Sequence, residues 1–175
     1  MWALRHAHAS GMRAQILVAS VEGAHFAGRG ILHRYIKART RSIALALGRP
    51  TIDVGANLRP VLKALKQDEQ VIAVVDVPAD QVSASQAIDV AGMRARVPTA
   101  LLRLASEQGI PVTVFLTGIH LPTGQRFVRL KQLGVERDMN KLLAEVFAEL
   151  SRAIQEDSAA WHFWSESERF FERRP

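Results

Sequence analysis

The sequence predicts an α/β fold with a largely parallel central sheet flanked by helices. Three observations predict it. Apolar runs rich in β-branched residues, "QILVAS" (15–20), "TIDV" (51–54) and "QVIAVVDV" (70–77), recur along the chain. Helical patterns separate them, and glycine and proline punctuate the joins. Strands alternating with helices are the signature of layered α/β folds.

Residues 2–9 read as a short helix ended by Gly11, and "QILVAS" follows as a buried strand. "GAHFAGRG" (23–30) is a loop. From Ile31 to Leu47 apolar residues Leu32, Ile36, Ile43 and Leu47 recur at helical spacing, and Gly48 with Pro50 ends the helix. "TIDV" is a short strand. "NLRPVLKALKQ" is a helix with Asn57 as N-cap. "QVIAVVDV" is a second buried strand stopped by Pro78. "QAIDVAGMRARV" (86–97) forms a hairpin turning at Ala91-Gly92. Pro98 occupies the first helical position of "PTALLRLASEQ", which Gly109 ends. Strands over 111–120 and 126–133 flank the turn "LPTGQ". Asp138 caps a long amphipathic helix to Gln155, and a last short helix lies in the tail.

A chain of 175 residues fits one domain spanning 1–175. At this length it buries roughly 70% of its unfolded surface and needs no staples. It has no cysteine, which excludes disulfides and thiolate metal sites and fits a reducing compartment. No apolar run approaches the roughly 18 residues that span a bilayer, and no secretory signal opens the chain. Lys and Arg total 23 against 17 Asp and Glu, a net charge of +6. Such a surface favours acidic partners: phosphates, anionic lipid, nucleic acid or an acidic carrier protein. No nucleic-acid motif accompanies the charge.

The candidate chemistry is sparse. "GAHFAGRG" half-matches a phosphate loop, but Arg29 and Gly30 stand where that loop needs Lys and Ser/Thr. Arg34, Lys37 and Arg41 share one helix face, either solvated or anion-binding. Arg39 lies on the apolar side of that helix, so it should point inward and need a partner such as Asp76. Asp76 closes a strand, where α/β sheets often build sites, although a loop cap would read the same way. Trp161, Phe163, Trp164, Phe170 and Phe171 crowd the tail. They either dock on the core or, with Arg169, Arg173 and Arg174, meet a membrane interface. The six histidines are scattered and suggest no metal site. His6 and His8 stand two apart, off a common helix face, and the first acidic residue is Glu22.

"LRPVLKALKQDEQVIAVVDVPAD", followed by "GMRARVPTALLRLASEQGIPVTVF", resembles the lipid A biosynthesis (lauroyl/myristoyl) acyltransferase family, within the lysophospholipid-acyltransferase-like superfamily. The strand pair "GIHLPTGQRFVRL", the helix at 138–155 and "WHFW" continue the family's order, and Arg39-Thr40-Arg41 matches its "R.R". The resemblance covers about residues 11–170. It implies acyl transfer from an acyl carrier protein or coenzyme A thioester to a hydroxyl of a lipid or glycolipid. It also implies a protein peripheral on the cytoplasmic side of the inner membrane, meeting an anionic membrane surface, with no cofactor, no metal and no nucleic acid. Arg39 and Arg41 would bind phosphate or the carrier, Asp76 would shape the acceptor site, and Arg94 and Arg96 would flank the acyl entrance.

The family's base is a histidine with an acid five positions on. Here Gly11, Arg13, Gly30, Ala38, Gln125 and Ser167 stand five positions after the six histidines. Aligning the family's glycine with Gly11 places the motif at or before Met1. The resemblance thus implies an acyltransferase-like fold truncated at its N-terminus and inactive as given, a non-catalytic lipid or carrier module, or a member in which His8 serves as a replacement base.

Overall fold

A computed structural model describes residues 1–19, 28–54, 58–78, 80, 82 and 84–172. The described residues form two compact units, Met1–Val74 and Val75–Pro175. Both mix helices with strands, so the chain is α/β as its patterning predicts.

The first unit runs α1 (Trp2–Ala9), β1 (Ala14–Ala19), α2 (Gly30–Leu47), β2 (Ile52–Val54), α3 (Arg59–Lys66) and β3 (Gln70–Ile72). Its strands form a parallel sheet in the order β2-β1-β3. β1 shares itself between two partners. Ala14 to Ile16 pair with β3, and Leu17 to Ala19 pair with β2. β3 is therefore shorter than the apolar run 70–77 suggests: it ends at Ile72, where its register with β1 ends. Ala14, Ile16 and Leu47 form the buried centre, with Leu4, Val18, Ile43 and Ile72 packed on them. Residues 23–27 of the first glycine-rich loop, Asn57, Arg173 and Arg174 lie outside the described residues, and Gly30 already begins α2. α3 is capped by Leu58 without a side-chain bond.

Glu69 ties this unit together. Its side chain is buried and accepts from Arg49 at 2.8 Å, from Arg13 at 3.5 Å and from the amide of Gln15. The three donors come from the start of β1, the residue just ahead of it, and the α2–β2 connection, and the Gln70 N–H reaches the Arg13 carbonyl beside them. Several donors offset the cost of burying a carboxylate, which a lone one would bear in full.

The second unit runs β4 (Ser85–Val90), β5 (Met93–Pro98), α4 (Ala100–Gln108), β6 (Val112–His120), β7 (Gln125–Gly134), α5 (Met139–Glu156) and α6 (Ser167–Phe170), with two short 3₁₀ turns before α6. β4 with β5 and β6 with β7 are antiparallel hairpins, so among the described residues parallel pairing is confined to the three strands of the first unit, and the largely parallel central sheet expected from the patterning is not formed. The first hairpin turns at Ala91-Gly92, as the sequence predicts, with Val90 opposite Met93 and positive φ at both turn residues. Pro98 does not start α4. It is the last residue of β5, opposite Ser85, and Thr99 caps the helix. A proline is tolerated at a strand end because no further ladder bond needs its N–H.

Asp138 caps α5, accepting from the N–H groups of Asn140 and Lys141. Just ahead of that cap, a hydrogen bond from Lys141 lowers the Glu136 carboxyl below its ordinary pKa, and Glu136 in turn raises Lys141. α5 buries Leu142, Leu143, Val146, Phe147 and Ile154 against Val90, Ala95, Val97, Leu102 and Ala105. The aromatic tail completes this core. Trp161 is 6% and Phe170 1% exposed, and the edge of Trp164 meets Trp161 with ring centroids 4.8 Å apart. The chain then lies along β5: Ala95 bridges Phe171, and the Glu172 N–H reaches the Arg94 carbonyl at 2.8 Å.

Candidate functional site

The residues singled out by the sequence fall in both units. In the first, α2 is amphipathic, and its packed face runs through His33, Ile36, Thr40, Ile43, Ala44 and Leu47. That face is rotated from the stripe read off the sequence. Leu32 is left exposed, while Thr40 and Ala44 turn inward. The rotation carries Arg39 outward. It is exposed, so the expectation of an inward arginine does not hold. Arg34, Lys37 and Arg41 are exposed as well, and all four cations lack an ion pair among the described residues. α2 has no acidic residue in its 18 positions.

The charge follows the same division. Residues 1–74 carry eleven Lys and Arg against four Asp and Glu, a net +7. Residues 75–175 carry twelve against thirteen, a net −1. The basic character of the whole protein therefore belongs to the first unit. α3 adds to it, with Arg59, Lys63 and Lys66 lining a shallow depression beside Leu62.

His8 lies at the end of α1 and is exposed. Its ring sits against Gly48, the left-handed residue that ends α2. A Cβ added to Gly48 would stand 2.5 Å from the His8 ring. Among the described residues no carboxylate orients that imidazole. A general base needs such an orienting partner or a matched environment, and this contact supplies neither.

In the second unit, Asp76 is half-buried and accepts a hydrogen bond from the Trp161 indole N–H at 2.9 Å. Four positions on, Asp80 takes a two-pronged bond from Arg169, at 3.0 Å from Nε and 2.9 Å from Nη2. Glu166 accepts from the same guanidinium, and the hydrogen bonds Arg169 donates to both carboxylates raise its pKa further. Arg94 and Arg96 are exposed on β5. Arg94 lies 3.8 Å from Asp89, and Arg96 pairs with Glu172 at 3.2 Å. Both are thus engaged by acids of their own unit. A groove of about 510 Å³ between β4 and α5 has an apolar floor of Ile88, Leu143 and Phe147, with Gln86, Asn140 and Arg152 at its rim.

Among the described residues no group of three His, Asp or Glu side chains could hold a metal ion. No described helix is long and apolar enough to cross a membrane. No known protein family matches the chain, and no curated protein matches it either.

Two features escaped the sequence reading. Glu69 reads as an ordinary surface acid in "KQDEQ", and its burial depends on Arg13 and Arg49, far away in sequence. The outward apolar residues of α2 were hidden by the choice of stripe. Counting acidic residues along the helix would have shown that its charge is unopposed.

Proposed function

We propose that this chain is an acyltransferase-like domain. Its reaction class passes an acyl group from an acyl carrier protein or coenzyme A thioester to a hydroxyl of a lipid or glycolipid. In that step the hydroxyl oxygen attacks the thioester carbonyl, its proton passes to a base, the carbon–sulfur bond breaks and the thiol leaves. The observation that carries the reading is the Asp76–Trp161 hydrogen bond. The resemblance picks out these two residues separately, as the end of "VVD" and the start of "WHFW", and they meet at 2.9 Å. The order of helices, hairpins and α5 supports the same reading.

The proton acceptor is the weak link. His8 has no acidic partner among the described residues, and no histidine has an acid five positions on. Losing a general base typically costs about 10²–10⁴-fold. The 175-residue chain therefore binds its anionic partner without turning it over, at the cytoplasmic face of a membrane. A purely non-catalytic lipid or carrier module is the second reading, favoured by the four cations of α2 that have no ion pair among the described residues.

The test is thiol release from acyl carrier protein and coenzyme A thioesters in the presence of hydroxyl-bearing lipids, alongside direct binding of the same partners. Binding without release is the expected outcome. Robust release abolished by His8→Ala would overturn the missing base. Binding of neither thioester nor lipid would remove the acyltransferase reading altogether.

A further inference from the structure

We infer that the outward face of α2 is a docking surface for an anionic lipid bilayer. The inference rests on the proposed work at a lipid, and it names the surface that meets it.

Ile31, Tyr35, Ala38, Ser42 and Leu45 are spaced by four, three, four and three residues, so they form one line along the helix. The line is about 21 Å long at 1.5 Å per residue. All five positions are exposed, with Ile31 87%, Tyr35 60% and Leu45 74% accessible. Arg34, Lys37 and Arg41 run along one flank, and Arg39 lies on the other. No carboxylate interrupts them.

A helix with an apolar line between cationic flanks lies in the plane of a membrane interface. Its apolar residues enter the acyl boundary and its cations meet the phosphates. Arginine and lysine near an anionic leaflet contribute additively to binding. Nucleic acid would use the cations but leave Ile31, Tyr35 and Leu45 in water. A second copy of α2 would bring four cations against four more, which opposes self-pairing. The net +7 of the first unit draws it, and not the −1 second unit, toward a negative surface. Trp161 and Phe170 do not compete for this role, because both are committed to the core.

The experiment uses the full chain with vesicles of phosphatidylcholine alone, or mixed with phosphatidylglycerol. The chain has no cysteine, so Leu45→Cys and Gln155→Cys each give one site for an environment-sensitive dye. The dye at position 45 should shift to the blue on the anionic vesicles and stay unshifted on the neutral ones. The dye at position 155 should not respond. Replacing Arg34, Lys37 and Arg41 by glutamine should weaken partitioning by roughly 100-fold, and salt should weaken the wild type in the same direction.

Vesicle binding that ignores these three substitutions and leaves the dye at 45 unshifted would overturn this surface while leaving the lipid reading intact. Thioester binding with no vesicle binding would overturn it and leave acyl transfer standing. Equal binding to an oligonucleotide without a blue shift would overturn it in favour of nucleic acid. Concentration-dependent dimers abolished by Tyr35→Ser would overturn it in favour of a second copy.

Discussion

Trp161 donates its indole N–H to an Asp76 oxygen 2.9 Å away, across 85 positions of chain. The indole is buried among Trp164, Phe170 and Phe171, so Asp76 gives it a partner that water cannot easily supply. Asp76→Ala should therefore destabilise the second unit by about 1–3 kcal/mol, the usual effect of stranding a buried donor. Asp76→Asn keeps an acceptor and should lose less. Urea unfolding followed by tryptophan emission checks both. A cost under about 0.5 kcal/mol for the alanine variant would mean that the bond holds nothing together.

Glu69 makes an analogous prediction for the first unit. Glu69→Ala leaves Gln15 without its acceptor and Arg49 without its pair, and should cost about 2–3 kcal/mol. The figure sits below that of a fully buried ion pair because Arg13 and Arg49 are partly solvated. Arg13→Ala should cost less than Arg49→Ala, since Arg13 is the more exposed and stands farther away. Reversal of that order in chemical denaturation would contradict the assigned geometry.

Gly48 and His8 can be separated by a double-mutant cycle. Gly48 has φ +63°, so Gly48→Ala should cost about 1 kcal/mol from backbone strain alone. The new methyl also meets the His8 ring. His8→Ala should recover the steric part and none of the backbone part. If the double variant is no more stable than Gly48→Ala, the ring does not rest on that glycine.

Ala91 offers a gain. It holds φ +51° in a two-residue hairpin turn that favours glycine or asparagine at this position. Ala91→Gly should raise stability by about 0.5–1 kcal/mol, read as a higher melting temperature. Its N–H donates to the Ser151 hydroxyl at 3.0 Å, and that bond needs no side chain from residue 91. Ala91→Val, which crowds the same conformation, should move the midpoint the other way.

Local signals were the legible part of this fold. The Ala91-Gly92 turn, the Asp138 cap and the period of α5 each depend on residues a few positions apart, and each stands where the sequence places it. What depends on distant partners was not legible. The run 70–77 looks like one strand, but β1 offers β3 only three paired positions. Arg39 looked inward because Ile36 and Ile43 flank it, and the packing of α2 through Thr40 and Ala44 turned it out. Arg94 and Arg96 read as open site cations, but Asp89 and Glu172 engage them. Asp76 was expected to close a strand, but β3 stops at Ile72 and leaves it in the following loop, and its partner Trp161 was not visible at all.

The parallel sheet of the first unit also sets a timetable. β1 cannot close against β3 until Gln70 exists to meet Ala14. At ordinary synthesis rates the run "AQILVA" waits about 3–11 s for that strand. The hairpins of the second unit close in microseconds once their turns are made. The first unit thus leaves an apolar strand waiting for seconds during synthesis, and its nascent β1 is where a chaperone would have most to do. Pulsed hydrogen exchange during refolding should find the β4–β5 amides protected before those of β1.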